Sequence, residues 1–216
     1  MNKKSVLETL KKLRENKKRN FSQSVDFIVI LKDIDLKKTD QQVEYFLQLH
    51  YSRGKKIKVC ALVDTELLEE AKSACDKVIH VDDFPNFAKD KKATKKLAED
   101  YDVFIAQGNI MAKVATTFGR TFGPRGKMPN PKAGCVVPPK ASLKPVIQKI
   151  QNMLKVSIKT TPMFMCSIGK EDQKEEELVD NIITLYNSLI QNLPKEKNNI
   201  KKTFLKLTMT KAIEVN

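Results

Sequence analysis

The feature that most constrains the fold of this chain is a change of rhythm near Ser52-Arg53-Gly54. Before it the pattern reads helix, strand, loop, strand. Residues 4–19 place Val6, Leu7, Leu10 and Leu13 at helical spacing among Lys and Arg. SVDFIVIL at Ser24–Leu31 is β-branched and strand-like; the polar DIDLKKTDQQ follows, then a second strand candidate at 43–49. From Lys56 onward, strands and helices alternate. Strand 57–63 leads to a helix capped by Asp64 or Thr65 and running to about Ala74, then strand 78–81, a Lys-rich helix at 91–100, strand 103–106 and helix 110–118. Such alternation implies a parallel sheet covered on both faces.

Past the run FGPRGKMPNP the opening style returns. The pattern predicts an amphipathic helix at 143–154 and a hairpin of 155–160 with 163–168, pivoting at Thr161-Pro162. A helix at 176–193 carries Leu178, Ile182, Leu185 and Leu189 on its apolar side, and strands 204–209 and 212–215 close the chain. An α/β segment between two α+β pieces reads as an insertion. The expected fold class is therefore α/β and α+β in two domains: a discontinuous α+β domain from 1–52 and 147–216, and an inserted α/β domain, 53–146. Two crossings between them would form a hinge.

Charge narrows the function. Lys plus Arg number 40 against 26 Asp plus Glu, a net +14. That excess attracts polyanions, with nucleic acid ahead of an anionic membrane surface, and opposes self-association, so a monomer is expected when the protein is free. The charge is uneven: residues 1–20 hold eight Lys or Arg against two Glu, and 195–211 hold six Lys against one Glu. A basic face follows more readily than a uniform haze. No apolar run is long enough for a membrane span. The opening MNKKSVLETLKKLRENKKRN lacks the apolar block of a secretory signal, and Glu8 and Glu15 argue against a basic presequence. Cys60, Cys75, Cys135 and Cys166 include no C-x-x-C pair and read as small core residues in a reducing compartment.

Catalytic motifs fail on inspection. FGPRGKMPNP misses a phosphate loop because Thr121 stands where its first Gly belongs and Met128 where Ser or Thr would ligate Mg²⁺. No G-x-G-x-x-G follows the strand at 57–63. His50 and His80 sit beside strands with no nucleophile motif. No cofactor or metal is expected. A phosphate- or nucleotide-binding enzyme using Arg125 and Lys127 is the competing class. In the loop itself, Pro fixes φ and Gly allows close backbone approach, so Arg125 and Lys127 are presented on a stiff scaffold. That suits contact with phosphate, or packing of a rigid loop on its own domain. A second candidate site joins the chain ends: Arg19, Phe21, Ser24 and Asp26 with Lys206, Thr208, Met209 and Thr210, and Lys159 beside them. RNA recognition uses cations for the backbone, apolar groups against sugars or bases, and hydroxyls for 2′-OH groups. Taken alone, Phe21 reads more readily as a core residue and Met209 as a gap filler.

GRTFGPRGKMPNPKAG, at 119–134, resembles the signature of the ribosomal protein L-one family, the protein of the mobile side stalk of the large subunit. The G-P-R-G-x-x-P-x-P core is specific, supplied here by Gly123, Pro124, Arg125, Gly126, Lys127, Pro129 and Pro131. FSQSVDF is similar to the family's opening strand and 204–215 to its closing strands, so the resemblance spans nearly the whole chain, with archaeal-like wording in GKMPNP. It implies a discontinuous rRNA-binding domain, an inserted Rossmann-like domain, and no enzymatic activity. Implied partners are large-subunit rRNA, exit-site tRNA whose movement and release the protein assists, and its own mRNA as target of translational repression. The implied place is the cytoplasmic ribosome. RNA contacts carry over to Phe21, Ser24, Asp26, Thr208 and Met209. One departure stands out: the family usually has Gly after that Thr-Met, and Thr210 brings a Cβ to a position of close RNA approach.

Overall fold

The structure is a computed structural model that describes residues 1–15, 19–139 and 141–215. It divides into two compact units, Met1–Lys55 with Asn152–Asn216, and Lys56–Gln151. The unit made from both chain ends is called terminal here, the other inserted. No helix among the described residues is long and apolar enough to cross a membrane.

In the terminal unit, Asn2 caps helix α1 (Lys3–Arg14), its side chain accepting from the Lys4 amide. The expected helix ran to 19; residues 16–18 lie outside the described residues. Strand β1 (Ser24–Leu31) alternates strictly, burying Val25, Phe27, Val29 and Leu31. It lies between β8 (Met163–Lys170) and β9 (Ile200–Leu207), with β10 (Ile213–Glu214) outside β9, all antiparallel. The opening strand is thus completed only by strands from the far end of the chain. A separate antiparallel pair joins β2 (Val43–Gln48) to β7 (Met153–Ile158). Helix α7 (Glu175–Asn192) starts on three Glu, which favour the positive end of its dipole. It contributes Leu178, Ile182, Leu185 and Leu189 to the core with Val6, Leu10, Leu13 and Phe27.

The expected hairpin of 155–160 with 163–168 does not form. β7 pairs with β2 and β8 with β1, and the Leu31 amide bonds the Pro162 carbonyl. Thr161-Pro162 turns the chain, but a turn fixes direction and not the partner strand.

The inserted unit holds a parallel sheet in the order β4-β3-β5-β6: β4 is Lys77–His80, β3 Val59–Val63, β5 Val103–Gln107 and β6 Val136–Val137. All five residues of β3 are buried, as a parallel strand covered on both faces requires. One face meets α3 (Phe84–Lys89), α4 (Lys91–Asp100) and α5 (Met111–Phe122) around Leu62, Phe104 and Phe118. On the other, α2 (Leu68–Ala74) packs on β3 and β4, and α6 (Leu143–Gln151) on α2. α5 outruns its expected end at 118 because Phe122 stacks on Phe104 at 4.1 Å and Phe118 at 5.0 Å. The strand expected from 57 starts at Val59. Both backbone groups of Ile57 bond the Gln151 side-chain amide instead, at 2.9 and 2.8 Å. That clasp keeps 147–151 in the inserted unit, five residues beyond the boundary read at 146.

Candidate nucleic-acid interface

One end of the four-stranded sheet gathers most of the residues singled out at the chain ends. The Ser24 amide donates to Thr208 Oγ1 at 3.0 Å, tying the start of β1 to the turn after β9. Thr208 and Met209 lie in that turn; the strand expected to reach 209 stops at Leu207. Thr210 closes it, its hydroxyl accepting from the Leu207 amide at 2.9 Å and its own amide donating to the Leu207 carbonyl at 3.1 Å. Where the resembled family has Gly, the hydroxyl here is engaged in the turn. Gln23 forms the floor. It is buried, accepts from the Met209 amide at 3.0 Å and donates to Glu171 at 3.1 Å.

Phe21 and Met209 are 51% and 58% exposed. Burying neither is unfavourable in water, and side chains of this size left open mark a contact surface when they cluster. Arg19 is also exposed.

Asp26 lies on the outer face of β1, opposite Lys206 on β9 and Ser167 on β8. Partial burial raises its pKa, and the Lys206 ammonium offsets that only in part. A carboxyl whose folded pKa lies above its unfolded value contributes stability when protonated and loses it as pH rises. Asp26→Asn is therefore expected to gain stability over the parent protein as pH rises from about 3 to 7, with the two equal at the acid end. Urea unfolding across that range measures it; a constant difference would mean that burial does not perturb Asp26.

Lys159 is placed elsewhere. It follows β7 and, with Lys155, holds Glu44 of β2 at 2.6 and 3.1 Å, which keeps that carboxyl below the usual range. Sequence reasoning missed four participants. Ile28, Phe204 and Met165 form a cross-strand row next to Asp26, with Met165 57% exposed. MFMCSIGK has no contrast between its two faces, so no pattern marked Met165 as outward. Gln23 had no signal at all.

The signature loop lies in the inserted unit, and its cations are engaged there. Lys127 Nζ donates to the carbonyls of Ala98 and Tyr101, both at 2.7 Å, capping the end of α4 where carbonyls lack helical partners. Arg125 bonds Glu99 at 2.9 Å. Gly123 and Gly126 make successive turns after α5, Gly126 at φ 64°, a value that favours glycine. Pro124 is exposed and Pro129 buried. Asn130 and Pro131 begin a short 3-10 turn, after which the Cys135 carbonyl accepts from the Ala106 amide beside β6. Of the two readings left open for this loop, these bonds describe packing on its own domain. Burial pushes the Cys60 and Cys166 thiols up to about 12 and Cys75 to about 11, and raises Cys135, so none is a thiolate nucleophile near neutrality.

A basic sheet end with open apolar groups in one unit, and in the other a basic loop that caps its own helix, are features of a binding scaffold. The chain belongs to the Ribosomal protein L1p/L10e family, whose profile matches residues 13–211. It is 39% identical over 212 residues to the large ribosomal subunit protein uL1 of Methanobrevibacter smithii, covering 97% of this chain and 98% of the relative. The uL1 proteins of Nanoarchaeum equitans (37% over 213 residues, 97% and 98% covered) and Methanocaldococcus jannaschii (32% over 216 residues, 100% and 96%) are similar. The family is one of ribosomal proteins, not enzymes.

Proposed function

We propose that this protein is a structural component of the large ribosomal subunit and binds rRNA of the mobile side stalk through the sheet end of its terminal unit. The observation that carries the reading is the exposure of Phe21, just ahead of β1, and of Met209, in the turn tied to the start of β1 by the Ser24–Thr208 and Gln23–Met209 bonds, with Asp26 opposite Lys206 on the neighbouring strand. Cations meet phosphates, hydroxyls meet 2′-OH groups, and the apolar side chains meet a sugar or base. On the cytoplasmic ribosome, the inserted unit held outward would accompany the stalk and assist movement and release of deacylated exit-site tRNA. Binding of a similar fold in its own mRNA by the same surface would repress translation.

Competitive binding tests this, using a side-stalk rRNA fragment and an unrelated RNA duplex of equal length across a salt series. A preference of about a thousandfold that survives moderate salt is expected. Equal affinities that fall together as salt rises would leave only the net charge at work and overturn the reading.

A further inference from the structure

A second charged surface lies on the inserted unit, on the helix whose end Lys127 caps and whose Glu99 is held by Arg125. Helix α4 buries Thr94, Leu97 and Ala98, and turns Lys91, Lys92, Lys95 and Lys96 outward, all exposed. Among the described residues none of the four ammoniums meets a carboxylate. Glu99, on the same face, is held by Arg125 at 2.9 Å. The placement runs against local helix physics twice. Lys91–Lys95 and Lys92–Lys96 are like charges one turn apart, which repel. Lys91 and Lys92 also occupy the first turn, where the helix dipole favours acids and the capping Asp90 carboxylate is already engaged by the Lys92 and Ala93 amides, while Glu99 and Asp100 close the helix where it favours bases. Helix α2 in the same unit shows the favourable order, with Glu69 and Glu70 first and Lys72 last. A face that opposes its own helix is relieved by a polyanion.

We propose that the outer face of α4 is a second RNA contact, taking the phosphate backbone of a double-stranded segment independently of the sheet end. Four ammoniums over little more than one turn give a compact row of point charges suited to successive phosphates. The face has no aromatic group, so it offers no stacking platform for single-stranded bases. Duplex RNA is gripped through its backbone and shape, which needs none. The inference rests on the ribosomal reading only for the class of partner.

The test uses the full chain and a variant carrying Lys91→Gln, Lys92→Gln, Lys95→Gln and Lys96→Gln, since Gln keeps helix propensity and removes charge. Protein saturated with the side-stalk rRNA fragment is titrated with a labelled RNA duplex of about 16 base pairs between about 50 and 200 mM salt. The parent protein is expected to bind the duplex while holding the fragment. The variant should keep its fragment affinity but bind the duplex more weakly, its slope of log K against log salt shallower by about 3 to 4, near 0.9 for each lost phosphate contact. The proposal is overturned if the variant binds the duplex unchanged, if the fragment displaces the duplex from the parent protein, or if a poly-Glu peptide of equal charge competes as well as RNA. If the parent protein shows no preference for the fragment yet binds the duplex through these lysines, the rRNA reading fails and this one stands.

Discussion

Phe21→Ala should weaken side-stalk rRNA binding roughly tenfold to a hundredfold, the range for losing one stacked aromatic contact, and leave thermal stability nearly unchanged. Phe27→Ala, six residues on, should do the reverse. Phe27 is fully buried on the inner face of β1 among Leu10, Leu13 and Leu185, and its truncation should cost about 3–5 kcal/mol through lost burial and the cavity left behind. Measured under conditions where the variant is still folded, its RNA affinity should match the parent's. The contrast is the informative quantity. Both residues are phenylalanines in one short segment, so composition and propensity cannot separate them; only the position of the ring does. If Phe21→Ala unfolds the protein, Phe21 belongs to the core and the sheet-end interface is misplaced.

The second large effect falls on the signature loop. Lys127→Met keeps most of the side-chain volume but removes the cation that bonds the Ala98 and Tyr101 carbonyls. Two acceptors at the end of α4 then lose a charged donor, at a cost of about 1.5–3 kcal/mol. Arg125→Ala removes an exposed pair with Glu99 and should cost less than about 1 kcal/mol. Calorimetry should show the Lys127 variant melting several degrees lower and the Arg125 variant close to the parent. Fragment affinity should be untouched in both. Should both substitutions weaken RNA binding without lowering the melting temperature, the loop is an RNA contact and the capping account is wrong.

These two cases show what the sequence could carry. Strand β1 was legible to the residue, because SVDFIVIL is rich in β-branched residues and alternates between an all-apolar inner row and an outer row that includes Ser24 and Asp26. Helix α4 was legible as a Lys-rich helical run over 91–100, and its buried Thr94, Leu97 and Ala98 fall at i, i+3 and i+4. Helix α3 was not: FPNFAK is only six residues long, and Pro85, which ordinarily signals a break, sits in its first turn, where proline is tolerated. The pairing of β7 and β8 was misread because both candidate partners lie more than a hundred residues away, and local turn chemistry favours the nearest strand. At the candidate interface, residue types pointed to Phe21, Ser24, Thr208 and Met209. The role of Gln23 as their floor depends on a fold that brings residue 23 to residue 209. In the loop, the sequence showed stiffness and charge. That Lys127 faces inward follows only from the end of α4 lying beneath it.

The completion of β1 by β8 and β9 also sets a schedule for synthesis. Ile30 pairs with Met163 and Ser24 with Lys170, separations of about 130 to 150 residues. At translation rates of about 5–20 residues per second, the strand waits roughly 7 to 30 seconds for its first neighbour. The contiguous inserted unit can meanwhile be made and folded in full. Throughout that interval an apolar, β-branched octapeptide has both edges unpaired, the kind of segment that invites pairing between nascent chains. The eight lysines and arginines of residues 1–20 stand ahead of the strand, where like charge opposes such pairing until the C-terminal strands emerge.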